Sequence, residues 1–221
     1  MNNQEKGNSF VSFLLETGSL VFREFTLKSG RVSPYFFNLG QLNTGRELAR
    51  IGEFYADKIV AEWGDDFDII FGPAYKGIPL AVSLVSSLYA KHNLVKKYSS
   101  NRKDVKTYAD ASSLLGSDVS EGDKIILVDD VLTTGETKLE AVRLLQALAN
   151  VDIKGLIVGL DRCEYDTDGQ DAMSEFTKAT GVPVKSIVTV YDLLQYMDEL
   201  DPVYGAIKRY LGEYGVVRQT L

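Results

Sequence analysis

The sequence predicts an α/β fold: a central parallel sheet flanked by helices on both faces, with a small N-terminal hood. Three observations predict it. Apolar runs rich in Ile and Val occur at 67–71 (FDIIF), 125–128 (IILV), 156–160 (LIVGL) and 184–190 (VKSIVTV), with the length and composition of strands buried on both faces. Between them, apolar residues recur three or four apart, as helices packed against a core require: Leu48, Ile51, Tyr55 and Ile59, then Leu80, Leu84 and Leu88, then Val142, Leu145 and Leu148. The alternation of the two patterns is that of a parallel sheet covered on both sides.

In chain order, 10–15 reads as a short amphipathic helix. The stretch 22–38 mixes aromatics with Lys28, Gly30, Arg31 and Pro34, which suits strands and turns rather than a helix. Residues up to about 45 form the hood. The strands and helices of the sheet follow, and the tail from 202 to 221 adds one helix around 204–214.

The chain has 221 residues, 45% of them hydrophobic and 25% charged, which fits one domain over 1–221 with no internal repeat or linker. A chain of this size buries roughly 70–75% of its unfolded surface, so a core forms without disulfides or a structural metal. The single cysteine, Cys163, has no partner for an internal disulfide. A net charge of −7 argues against binding nucleic acid over the whole surface. The first ten residues lack the apolar stretch of a signal peptide, and no apolar run reaches the ~18 residues of a membrane span. The expected location is the cytoplasm.

In an open parallel sheet, ligands sit beyond the carboxyl ends of the strands, where strand order reverses. After 125–128 the chain reads Asp129-Asp130-Val131-Leu132-Thr133-Thr134-Gly135-Glu136-Thr137 before a helix begins. Two carboxylates there can accept hydrogen bonds from neighbouring sugar hydroxyls. Thr133, Thr134 and Thr137 bring hydroxyls beside backbone N–H groups, and the helix amino terminus adds unpaired donors and positive dipole. One loop can thus hold a sugar diol and a phosphate. The structural alternative is that the acids merely end a strand and Thr133 or Thr137 caps the helix. On these residues alone both readings stand. A nucleoside-triphosphatase would need a GxxxxGK[ST] loop, and the sequence has none.

The string IILVDDVLTTGET resembles the phosphoribosyl-pyrophosphate signature of the type I phosphoribosyltransferases: a hydrophobic strand, two acids, two hydrophobics, a Thr/Ser-rich turn, Gly and a closing Thr. Further strings, in order along about residues 22–192, resemble the orotate phosphoribosyltransferase family: FTLKSGR (25–31), SPYFFN (33–38), NTG (43–45), FGPAYKGIP (71–79), NRK (101–103) and DR (161–162). The resemblance implies transfer of the phosphoribosyl group of 5-phosphoribosyl 1-pyrophosphate to orotate with Mg2+, giving orotidine 5′-monophosphate and pyrophosphate in pyrimidine synthesis. It implies a homodimer acting on small molecules, with no nucleic-acid or membrane partner. The anomeric carbon passes through an oxocarbenium-like state as pyrophosphate leaves, so the chemistry calls for positive charge at the leaving group, orientation and exclusion of water.

Residue by residue, the resemblance assigns Asp129 and Asp130 to the ribose 2′- and 3′-hydroxyls. It assigns the turn of Val131, Leu132, Thr133, Thr134, Gly135, Glu136 and Thr137 to the 5′-phosphate, with Thr133 also on the orotate side. Gly135 leaves no Cβ between backbone and phosphate, and Glu136, an acid in an anion-binding turn, is expected to point outward. Tyr75 and Lys76 match the pyrophosphate loop, although FGPAYKG alone reads equally as a surface turn. Lys28 with Phe36 and Phe37 matches a hood over the base, where an aromatic face and a cation meet a planar carboxylated pyrimidine; the alternative for the two phenylalanines is ordinary core. Arg162 suits the orotate side by its planar fork, and its alternative is a surface salt bridge with Asp161 or Glu164.

Arg102, Lys103 and Lys106 place three cations in five positions of an acidic chain. A solvated basic loop is one reading. The resemblance instead places them in a mobile lid, about 100–117, closing over the active site of the neighbouring subunit, with Lys106 meeting the departing pyrophosphate and forming the catalytic set with Asp129 and Asp130. The chain departs from the family here. After the lysine the family usually carries Asp-His and then Gly-Glu-Gly-Gly, whereas this chain has Thr107, Tyr108, Ala109, Asp110, Ala111, Ser112 and Ser113. Tyr108 can donate a hydrogen bond, but a phenol with pKa near ~10 is a poor proton shuttle at neutral pH. Two other functions therefore stand beside the first: a catalytically weak homologue that binds phosphoribosyl pyrophosphate in a regulatory role, and a transferase for another base, against which FTLKSGR and SPYFFN argue. His92, Cys163 and Trp63 are read as non-catalytic, and no metal-ligand spacing is visible.

Overall fold

The computed structural model describes residues 3–27, 30–103, 113–132, 135–166 and 168–216. Helix α1 (Asn3–Glu16) leads into an antiparallel hairpin, β1 (Leu20–Thr26) with β2 (Val32–Phe37). Helix α2 (Gly45–Trp63) opens on a capping box: the Thr44 hydroxyl accepts from the N–H of Glu47, and the Glu47 carboxylate accepts from that of Thr44. Then follow β3 (Ile69–Phe71), α3 (Gly77–His92), β4 (Lys97–Asn101), β5 (Leu114–Gly116), β6 (Lys124–Val131), α4 (Glu136–Leu148), β7 (Asp152–Asp161), α5 (Ala172–Thr180), β8 (Val184–Thr189), α6 (Val190–Tyr196) and α7 (Pro202–Tyr214).

The main sheet has the order β5-β4-β3-β6-β7-β8. All its pairings are parallel except β4 with β5. The expected parallel sheet therefore carries one antiparallel edge. β5 is the next described strand after β4 and pairs back along it antiparallel, as the outermost strand of the sheet. The loop expected over about 100–117 thus begins and ends in paired strand, with Asn101 opposite Leu114 and Ser99 opposite Gly116.

Side chains alternate across the sheet, which explains why the strands read as unbroken apolar runs. Ile70, Ile126, Val128, Ile157, Leu160 and Val188 face one core with Ile51, Tyr55 and Ile59 of α2, Leu84 of α3 and Ile207 of α7. Ile69, Phe71, Ile125, Leu127, Leu156 and Val158 face the other with Val142 and Leu145 of α4 and Phe176 of α5. The strand order reverses between β3 and β6: from β3 the chain goes outward to β4, and from β6 the other way to β7. The carboxyl ends of β3 and β6 are therefore the place where such a sheet opens a crevice.

Candidate active site

The connection 72–76 after β3 meets the end of β6 at that crevice. It is compact because its glycines touch. A Cβ on Gly72 would lie 2.0 Å from the Gly77 carbonyl oxygen, and one on Gly77 would lie 2.5 Å from the Gly72 carbonyl carbon, so neither position accepts a side chain without opening the loop. Asn101 at the end of β4 fixes the loop from the side, its Oδ1 accepting from the Ala74 N–H at 2.8 Å. Tyr75 is left 62% exposed, with the Lys103 ammonium 5.1 Å from its ring centroid. Lys76 donates to Asn38 Oδ1 at 3.0 Å and reaches Asp130 Oδ2 at 3.2 Å, so one ammonium joins the end of the hairpin, the β3 loop and the end of β6.

The aspartates are the two residues before the last of β6 rather than the first residues of a loop, and the pleat sends their side chains to opposite sides. Asp130 turns to Lys76, and its Oδ1 accepts from the Val131 N–H at 2.8 Å. Asp129 turns to α4, where its Oδ2 lies 2.5 Å from Lys138 Nζ while its Oδ1 accepts from the Asp130 N–H at 2.8 Å. Both aspartates are 8% exposed. Burial raises the Asp129 carboxyl above the usual carboxylate range; Lys138 pulls it down, and Asp130 pushes it further up. Underneath, the Tyr55 hydroxyl donates to the Asp129 carbonyl at 2.8 Å, and burial holds that phenol well above its ordinary pKa.

Gly135 has φ +73°, a left-handed turn that starts α4, so here glycine is required by backbone conformation rather than by lack of space, since a Cβ would meet Leu132 and Phe176 at ordinary contact distance. Glu136 and Thr137 are exposed at the first turn of α4, Leu132 is buried, and Val131 ends β6 half-buried. Lys28, Lys106, Tyr108, Thr133 and Thr134 lie outside the described residues. Arg102 stands at the base of the lid segment, half-buried, its Nε donating to the Leu114 carbonyl at 2.9 Å.

The two hood phenylalanines part company. Phe36 is 36% exposed and stacks on Phe25 with centroids 4.7 Å apart, and Arg23 lies over the outer ring. Phe37 is 5% exposed and belongs to the main core. Arg162 follows β7 and is buried at 9% exposure, so its pairing with Glu164 at 2.7 Å is an interior ion pair rather than a surface one. Its guanidinium lies 4.3 Å over the Tyr35 ring and donates to Ser33 Oγ at 3.0 Å. Tyr35 and Tyr210 both donate to Glu164, each at 3.0 Å. Burial works against the Arg162 charge, but Tyr35 and Glu164 outweigh it and hold the guanidinium above its ordinary pKa. Burial pushes the Tyr210 phenol up to about 12.

Sequence reasoning missed Lys138 and the tyrosine partners of Glu164. A signal for Lys138 was present: it sits on the same helical face as Ala141, Val142 and Leu145, a core-facing position where a lysine needs a partner.

The family model for the phosphoribosyl transferase domain matches residues 38–165. A protein of Photobacterium profundum called orotate phosphoribosyltransferase is 47% identical over 210 residues, covering 94% of this chain and 97% of that one. The chain belongs to the orotate phosphoribosyltransferase family. A relative of that name from Clostridium beijerinckii is 40% identical, over 93% of this chain and 96% of its own. The crystal structure of the Francisella tularensis orotate phosphoribosyltransferase superposes with a TM-score of 0.82 at 36% identity, covering 94% of this chain and 99% of that one. Among the described residues no helix is long and apolar enough to cross a membrane.

Proposed function

We propose that this chain transfers the phosphoribosyl group of 5-phosphoribosyl 1-pyrophosphate to orotate, giving orotidine 5′-monophosphate and pyrophosphate. The observation that carries the reading is Lys76 spanning Asn38 and Asp130 at the switch point of the sheet, because it draws three family strings that are far apart in sequence into one cleft. In this reading Asp129 and Asp130 accept from the ribose hydroxyls, and 131–137 receives the 5′-phosphate at the amino terminus of α4. Tyr75, Lys76, Arg102, Lys103 and Tyr108 serve the pyrophosphate side, and Lys106 meets the departing charge. Lys28, Phe36, Phe37, Thr133 and Arg162 serve orotate; Phe37 acts from within the core it shares with Tyr35 rather than by touching the base.

Magnesium belongs with the pyrophosphate substrate in this reading. Among the described residues no three metal-binding side chains converge, and the acid pair is already engaged by two lysines. These residues fit an ion carried in on phosphate oxygens and water, with Asp129 and Asp130 as the nearby carboxylates. When bound, it neutralises charge on the leaving group. The chain's own residues orient the sugar, and the segment from Arg102 to Ser113 shields the crevice. We place that lid over a neighbouring subunit in a cytoplasmic homodimer of a single domain; exposed Val82 and Tyr89, seven residues apart on α3, support a second copy against that face.

The weakly active homologue gains no support from relatives that bear the enzyme's name over nearly their full length. The test is magnesium-dependent loss of orotate absorbance on adding phosphoribosyl pyrophosphate to the folded protein. Loss at catalytic enzyme concentration is expected; none would overturn the reading.

A further inference from the structure

Lys138 stands where lysine is costly on two counts. It lies in the first turn of α4, where the helix dipole disfavours a cation. Its side chain is 10% exposed, which strips most of the water from the ammonium. Among the described residues the compensation is one close charged contact, 2.5 Å to Asp129 Oδ2, with the carboxylate itself 11% exposed. Asp130, next along the strand, has its own lysine, but Lys76 is 60% exposed on the side chain and free to follow a ligand, whereas Lys138 is enclosed between sheet and helix.

We propose that Lys138 is a positioning residue for the ribose contact: from the first turn of α4 its ammonium fixes the direction and the negative charge of the Asp129 carboxylate. This rests on the assignment of Asp129 to a ribose hydroxyl. An ionised carboxylate offers about four acceptor positions; Lys138 and the Asp130 N–H take one on each oxygen, leaving each oxygen one to meet a sugar hydroxyl. Without the ammonium, the groups acting on Asp129 are Asp130 with its partner Lys76, and Tyr55 below the Asp129 carbonyl. Asp130 and burial then both favour the protonated acid, which donates where the site needs an acceptor.

The test compares Lys138→Met, Lys138→Arg and Asp129→Asn in the full chain. It measures phosphoribosyl pyrophosphate binding by calorimetry, the pH profile of kcat/KM, and melting. For folded Lys138→Met, binding should weaken about tenfold or more, as for a lost charged hydrogen bond. The acid limb should move to higher pH by about one to three units, and Lys138→Arg should restore both. Adding Lys138→Met to Asp129→Asn should change neither further. Lys138→Met with unaltered binding and an unmoved acid limb would overturn the inference. Asp129→Asn with undiminished binding would instead overturn the ribose assignment beneath it. If the methionine variant does not fold, Lys138→Gln, which keeps a donor and loses the charge, should show the same displaced limb, and an unmoved limb there also overturns the inference.

Discussion

The loop after β3 and the arginine cluster after β7 are built on opposite principles. On the loop side, Lys76 and Tyr75 are about three-fifths exposed, the lysine reaching Asn38 and Asp130 and the tyrosine ring met by the exposed Lys103. On the arginine side, Arg162 and Glu164 are about nine-tenths enclosed, with Tyr35, Tyr210 and Ser33 all spent on keeping them in place. An adaptable side suits a ligand that arrives with charge and leaves as pyrophosphate. A rigid side suits a planar base that must be met in one orientation. The difference teaches where stability and turnover should separate under mutation.

The sharpest break of the rigid side is Arg162→Ala. It leaves Glu164 buried without its cation and should cost about 3–5 kcal/mol of stability, read as a lower melting temperature, together with weaker orotate binding. On the adaptable side, Lys106→Ala should depress kcat by about 3–4 kcal/mol of activation energy, as when an oxyanion donor is lost, with melting and substrate affinity almost unmoved. Intact turnover there would remove Lys106 from the lid assignment.

Alkali tests the rigid side by titration. The Tyr210 phenol is raised to about 12 in the folded protein, so its contribution is complete below the ordinary phenol value and lost as pH rises from about 10 through 12. The loss should be about 2 kcal/mol in chemical denaturation across that window, and should vanish in Tyr210→Phe. At neutral pH that variant should cost about 2 kcal/mol, one hydrogen bond to a charged partner, with a small rise in the orotate KM. Smallest in stability is Lys76→Ala, within about 1 kcal/mol because the ammonium is 60% exposed and water can take its place while Asp130, itself buried, keeps the Val131 N–H, yet it should weaken phosphoribosyl pyrophosphate binding.

Much of this arrangement was legible in the sequence because it is periodic or local. The Ile and Val runs mark β3, β6, β7 and β8, since both sheet faces are covered, and the acid pair stands directly after one of them. The strand β4 was not legible: its sequence, KYSSN, is polar, and its buried serines are paid no attention by a reading built on apolar runs. The three residues of β5 are too few to show a period. Helix α6 follows β8 with no loop, so the apolar run 184–190 blurs into its first turn. Arg162 was found by its neighbours in sequence, but its environment was not, because Tyr35 and Tyr210 reach Glu164 from 129 and 46 residues away. Contacts of that separation are set by topology, which one sequence reveals only through its family.

The account turns on the strand-end aspartates gripping a sugar. The most direct measurement is a crystal structure of the protein with phosphoribosyl pyrophosphate and magnesium. The account predicts the ribose 2′- and 3′-hydroxyls within hydrogen-bond distance of Asp129 and Asp130, with Lys138 still against Asp129. A sugar bound away from both carboxylates would contradict it.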